Sequence, residues 1–254
     1  MRQTYSRKSQ FQTERRRLPR VVLPLAIIAV AAGLAAFSMA NSTPAVTDAP
    51  QIARAFATRH HEAFPAPRPP AQFVDALVAT EDQRFFWITD MGVDPIALTR
   101  LVLGVTGFGP PGGGGASIDQ QLAKMLYTPN QSGSFLVDVE QVILAFKLHL
   151  SYSHAAILGM YAEMAYFGNG YYGLEAAGQG YFGATADALT AHQAAMLAGL
   201  VNAPSADNPR THLARATARC RHVFGRLVAL HYLTENQAKA QRATPLGLIT
   251  SPSP

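Results

Sequence analysis

The chain has 254 residues, 48% of them apolar and only one of them cysteine, so it can bury a substantial core and cannot form an internal disulfide. Its formal charge of +5 invites a nucleic-acid reading, yet seven of its 21 basic residues (Arg2, Arg7, Lys8, Arg15, Arg16, Arg17, Arg20) precede residue 21 with one acid, Glu14. The remaining 14 bases face 15 acids, which argues against a nucleic-acid groove in the body of the chain. In chain order, residues 1 to 20 form a basic arm, and residues 21 to 40 are uncharged and apolar. About 20 such residues at about 1.5 Å each match a hydrocarbon core of about 30 Å, which predicts one transmembrane helix. The basic arm then stays cytoplasmic and everything after residue 40 lies outside. Ser38 and Ala40 would also suit a signal-peptide cleavage site, but the long arm and the full-length span favour a retained anchor.

Residues 41 to 71 are rich in Pro and Ala and read as an extracytoplasmic linker. His60, His61 and Glu62 within it are adjacent and cannot share a helix face, so no metal site is read there. From residue 72 to 242 the apolar spacing is helical. Val139, Val142, Ile143, Phe146 and Leu150 recur at i, i+3, i+4 and i+7, and residues 155 to 166 and 188 to 201 are apolar runs of helix length. Thr234 with Gln237 reads as a capping box opening a last short helix. No alternating strands occur, so the fold class is mainly α, and residues 243 to 254 read as a flexible tail. Cys220 lies among helical residues without a His or Asp partner and reads as a packing residue.

Four segments offer chemistry. Glu81 and Asp82 end an apolar helical segment beside Phe85, Phe86 and Trp87, where desolvation would raise a carboxyl toward the range of a general base. The run from Gly112 to Gln121 combines four glycines with Ser117, Gln120 and Gln121, hydroxyl and amide groups suited to a sugar, and Lys124 follows. It is not a phosphate-binding P-loop, because no Lys-Ser/Thr pair ends it. Glu140 has Leu136, Val137, Ile143 and Leu144 at helical spacing, so something must satisfy its charge, Lys147 being the structural alternative. Residues 164 to 183 interleave Tyr166, Asn169 and Glu175 with glycines and aromatic rings, a composition suited to stacking on sugars.

In order and spacing these segments resemble the peptidoglycan glycosyltransferase family, glycosyltransferase family 51, the glycan-polymerising module of penicillin-binding proteins. The resemblance runs over about residues 72 to 242 and is carried by Glu81 and Asp82, by Gly114 to Gln121 with Lys124, by Glu140, and by Tyr166 to Gly170 with Glu175, Gln179 and Tyr181 to Gly183. Leu197 to Leu200, Ala203 to Ser205 and Asn208-Pro209 complete it. It implies a lysozyme-like helical domain that polymerises lipid II with inversion and release of undecaprenyl pyrophosphate. Glu81 and Glu140 would be the catalytic acids, with Glu81 the general base. Asp82, Gly115, Ser117, Gln120, Gln121, Lys124, Tyr166, Asn169 and Glu175 would bind substrate, Lys124 facing the pyrophosphate.

No cofactor is implied as a requirement, and a divalent cation, Mg²⁺ or Mn²⁺, is compatible with the leaving group. The implied partners are lipid II, the nascent glycan, the inner membrane, and penicillin-binding transpeptidases or other cell-wall synthases. Leu136, Val137, Val139 and Ser132 stand where the family carries cations, Asp119 and Ala116 where it carries hydroxyls, and Glu163 where it carries Asn. The motif-one His is replaced as well, which together predicts reduced turnover. The competing readings are a non-catalytic lipid II or wall-binding partner of another synthase and a lytic murein-cleaving enzyme. The chain's length and the absence of Ser-x-x-Lys argue against a fused transpeptidase.

Overall fold

The structure, a computed structural model, describes residues 33, 34, 37 to 62, 64, 68 to 87, 91 to 93, 116 to 131 and 134 to 249. It divides into two units, residues 1 to 42 and residues 43 to 254. In the first unit the described residues are helical, with Asn41 Nδ2 donating to the Phe37 carbonyl. Among the described residues no helix is long and apolar enough to cross a membrane. Most of the span expected over 21 to 40 lies outside the described residues.

The described residues of the second unit are mainly helical. Its described elements are α1 (Ala49–Arg59), α2 (Ala71–Glu81), α3 (Ile118–Tyr127), α4 (Phe135–Ser151), α5 (His154–Met164), α6 (Leu174–Phe182), a 3₁₀ turn (Ala186–Ala188), α7 (Ala191–Leu200), α8 (Leu213–Ala229) and α9 (Glu235–Ala243). Among the described residues the one extended pairing is an isolated bridge between Tyr166 and Tyr172. Helices α2, α7 and α8 pack on one another, α3 packs on α4 and α5, and α1 lies on α5 and α3. One continuous apolar core runs through them, with Phe73 and Leu77 of α2, Leu122 of α3, Leu144 of α4 and Leu197 of α7 all fully buried.

Capping chemistry sets several helix starts. Ser117, Thr190 and Thr234 each accept from the backbone three residues on, and Gln120, Gln193 and Gln237 return the bond. The Thr234 box is the one read from the sequence.

Three features differ from the sequence reading. The stretch read as a linker contains α1, whose Ala49, Ala53 and Ala57 are wholly buried at helical spacing. In α4 the buried residues are Leu144, Ala145 and Leu148, while Phe146 and Leu150 are 40% and 69% exposed. That helix is apolar nearly all round, so spacing alone could not choose its inner face. Residues 244 to 249 are pinned rather than loose: Gln193 Nε2 donates to the Leu246 carbonyl, and the Ile249 N–H to the Tyr181 carbonyl.

Candidate active site

Glu81 is the last residue of α2, and its side chain is 11% exposed. One carboxylate oxygen pairs with Arg219 Nη2 of α8 at 3.2 Å, and the other accepts from Gln121 Nε2 of α3 at 3.3 Å. Gln121 is itself fixed at both ends, since its Oε1 accepts from the Tyr161 hydroxyl of α5 at 2.8 Å and its Nε2 also donates to the Ala116 carbonyl. Four helices therefore converge on one carboxylate. Burial raises the Glu81 pKa above the ordinary glutamate value, and the Arg219 charge and the two hydrogen bonds oppose that rise. The buried Tyr161 hydroxyl is pushed up by its burial and by the Glu81 charge, so it stays a donor to Gln121.

Arg219 reaches Glu81 because α7 has a glycine where the guanidinium stem crosses it. A Cβ on Gly199 would meet Arg219 Cγ at 3.1 Å, and the Gly199 carbonyl accepts from Arg219 Nε. Directly before Gly199 on α7, the sequence-matched Leu197 and Ala198 are core residues.

Asp82 follows Glu81 in the chain, and Ser117 and Gln120 lie just before Gln121. Asp82 Oδ2 accepts from the Ile118 N–H at 3.1 Å, at the first turn of α3. The Ser117 hydroxyl accepts from the Gln120 N–H and donates to the Gly92 carbonyl, and Gln120 Oε1 accepts from the Ser117 N–H. These groups are engaged in starting α3 and tying it to the end of α2, which positions Gln121 against Glu81. Lys124, one turn further along α3, is exposed. Gly115 lies outside the described residues.

Glu140 is partly exposed on α4, and among the described residues its carboxylate has no hydrogen bond or ion pair. The alternative pairing with Lys147 is not made; that ammonium donates to the Thr43 and Pro44 carbonyls and to the Thr43 hydroxyl. The next residue, Gln141, donates to the Thr128 hydroxyl at the end of α3. Thr128 stands seven residues beyond Gln121, about 10 Å along the axis of α3.

Tyr166, Asn169 and Glu175 do not join this cluster. Phe167 packs on Phe73, and Phe73 is eight residues before Glu81, about 12 Å away along α2. The aromatic loop is spent on its own packing. The Tyr166 hydroxyl accepts from the Gly170 N–H, the Tyr181 hydroxyl donates to the Phe167 carbonyl, and Arg210 lies over the rings of Tyr171 and Tyr181. Asn169 takes a left-handed conformation at φ 54° in the turn, which Asn tolerates better than most residues. Glu175 Oε2 accepts from the Ala186 N–H at 2.7 Å, holding the 3₁₀ turn to α6. Among the described residues no group of three or more His, Cys, Asp or Glu side chains is arranged to hold a metal ion.

A family model described as Transglycosylase matches residues 49 to 228. The chain belongs to the transglycosylase family. It carries the peptidoglycan glycosyltransferase domain, family 51, that the motifs resembled. It is 34% identical over 177 residues to penicillin-binding protein 1A of Vibrio cholerae, covering 70% of this chain and 21% of that protein. It is 35% identical over 168 residues to penicillin-binding protein 1A of Escherichia coli, covering 66% and 19%. Penicillin-binding protein 2a of Streptococcus pneumoniae is 37% identical over 163 residues, covering 64% and 21%. A crystal structure of penicillin-binding protein 1A from Haemophilus influenzae matches 52% of this chain and 16% of that one, at 26% identity and a TM-score of 0.36. The chain spans about a fifth of the length of these curated relatives.

The transglycosylase match begins at Ala49, the first residue of α1, which agrees with α1 being packed into the domain. Within the transglycosylase domain, Arg219, Gly199 and Tyr161, which acts through Gln121, are the features around Glu81 that sequence reasoning missed. Arg219 and Arg226 are seven apart on α8, one helix face, and Arg226 Nε donates to the Ala79 carbonyl at the end of α2. That repeat of arginines on one face of α8 was the available signal.

Proposed function

We propose that the chain polymerises lipid II into glycan strands, with inversion at the donor carbon and departure of undecaprenyl pyrophosphate. In this reading it is a lysozyme-like domain held by residues 21 to 40 on the outer face of the bacterial cytoplasmic membrane. The observation that carries the reading is Glu81: a buried carboxylate with a raised pKa, its oxygens aimed by Arg219 and Gln121. Such a group accepts the proton of the acceptor GlcNAc 4-hydroxyl as that oxygen bonds to the anomeric carbon of the donor MurNAc and the pyrophosphate leaves. Exposed Lys124 supplies charge to the departing pyrophosphate, and partly exposed Glu140 serves the donor side. Asp82, Ser117 and Gln120 act by fixing α3. The nascent glycan is the polymer substrate, and penicillin-binding transpeptidases or other synthases are the partners that would use the product.

The test is polymerisation of labelled lipid II by the purified protein, with and without Mg²⁺ or Mn²⁺. Glu81→Gln should lower the rate by about 10² or more, because an amide keeps the shape and cannot accept the proton, while thermal unfolding stays cooperative. Leu136, 66% exposed where the family carries a cation, gives the converse arm: Leu136→Arg should raise turnover. Lipid II binding without polymer under every metal condition, together with an unchanged cellular phenotype for Glu81→Gln, would replace this reading with that of a non-catalytic binding partner. Release of cleaved muropeptides would replace it with a lytic enzyme.

A further inference from the structure

Helix α5 faces two ways. Tyr161 donates to Gln121 in the Glu81 cluster. Glu163, two residues on at about 100° per residue, leaves the helix on nearly the opposite side. There a cavity of about 400 Å³ opens, with Gly159, Met160 and Glu163 of α5 on one wall and Pro50, Phe64 and Pro69 across from them. Glu163 is 4% exposed, and its Oε1 is buried with no hydrogen-bond partner. A buried carboxyl oxygen without a donor is costly to keep, and nothing in the packing of α5 requires it.

Among the described residues none is ion-paired with Glu163. Glu62, after the end of α1, adds a second negative charge, and together with burial it pushes the Glu163 carboxyl up to about 7. Glu62 is itself raised by burial and by Glu175, whose own carboxylate is engaged by the Ala186 N–H. The Tyr152 hydroxyl on the α5 side donates to the Val46 carbonyl. Arg54 of α1 lies over the Phe64 ring, and Arg68, exposed at the cavity mouth, forms no ion pair with Glu163.

We propose that this cavity binds a primary ammonium group on a linear aliphatic stem, with Glu163 as its counter-ion and the walls at Met160 and Phe64 seating the stem. An anion would meet the charges of Glu163 and Glu62. A sugar would bring hydroxyls that Pro50, Phe64, Pro69, Gly159 and Met160 cannot match, and the loss of their hydration would go uncompensated. A single buried carboxyl does not make a metal site. The ligand chemistry is that of a lysine or other diamino-acid side chain, either as a free amine or borne on a peptide. The site stands on its own geometry and does not depend on the chemistry assigned to Glu81.

Calorimetric titration of the full-length chain with n-pentylamine and with Nα-acetyl-lysine amide tests it. At about pH 8 both should bind saturably, and below about pH 7 affinity should fall about tenfold per unit as a proton competes for Glu163. The Nε-acetylated lysine amide should not bind. Glu163→Gln should weaken the amines at least about tenfold, since a charge-assisted bond becomes a neutral one. Because the wild-type protein also reports the site, the ¹³C titration of the Glu163 carboxyl should move to lower pH when amine is added. Preference for the lysine amide assigns the ligand to a peptide, and equal affinity assigns it to simple amines. Equal binding by Glu163→Gln, equal binding of the Nε-acetylated probe, or an unmoved carboxyl titration with amine present overturns the proposal.

Discussion

Two opposing effects set the state of Glu81, and the contest can be read residue by residue. Burial disfavours the carboxylate, while Arg219 and Gln121 favour it. Arg219→Gln removes the charge and leaves the burial, so the Glu81 pKa should climb and the acid limb of the pH-rate profile should move up, by a unit for each ~1.4 kcal/mol of lost interaction. An acid limb that stays in place would reduce Arg219 to a packing role. Glu163 is the opposite case, a buried acid that forms no ion pair among the described residues. Its folded pKa of about 7 lies above the ordinary value of 4.5, so between these values the folded chain holds more protons than the unfolded one. Stability is therefore greatest below that window and declines as pH rises through it, by at most ~3 kcal/mol. Glu163→Gln should raise the unfolding temperature at about pH 8 and change it little at about pH 4, as differential scanning calorimetry would show. Equal effects at both values would mean that Glu163 does not titrate in this window.

Helix α3 shows how much an element's start governs a site. Ser117, Gln120 and Asp82 all satisfy its first turn, and Gln121 follows at once. Ser117→Ala should cost about 1 kcal/mol in urea unfolding and should also loosen Glu81 through Gln121, lowering activity more than stability alone explains. A variant with full activity despite the lost cap would separate the two. Much of this arrangement was legible in the sequence. The adjacency of Glu81 to the Ser117–Gln121 segment follows from the family motifs, and the Thr234–Gln237 box from its spacing. Helix α1 was hidden because its buried positions, Ala49, Ala53 and Ala57, offer little apolar contrast beside a Pro-rich stretch. The packing of the aromatic loop was not legible, because composition does not say that Tyr171 and Tyr181 turn toward Arg210 and each other. Arg219 was missed because the arginine repeat on α8 does not say which distant part of the chain it serves.

At the scale of the whole molecule, membrane attachment is the expectation with the widest consequences. It rests on the uncharged run over 21 to 40 behind a basic arm. A reporter fused after residue 70 should be active only outside the cytoplasm; cytoplasmic activity, or a mature N-terminus at Asn41, would sink the anchored arrangement. The order of the chain adds something further. Glu81 is made early and waits for a cation supplied 138 residues later. Until α8 has been synthesised and has docked over Gly199, the carboxylate lacks its ion-pair partner and has only the Gln121 hydrogen bond to draw on. The geometry around Glu81 is therefore complete only when both ends of the domain are in place.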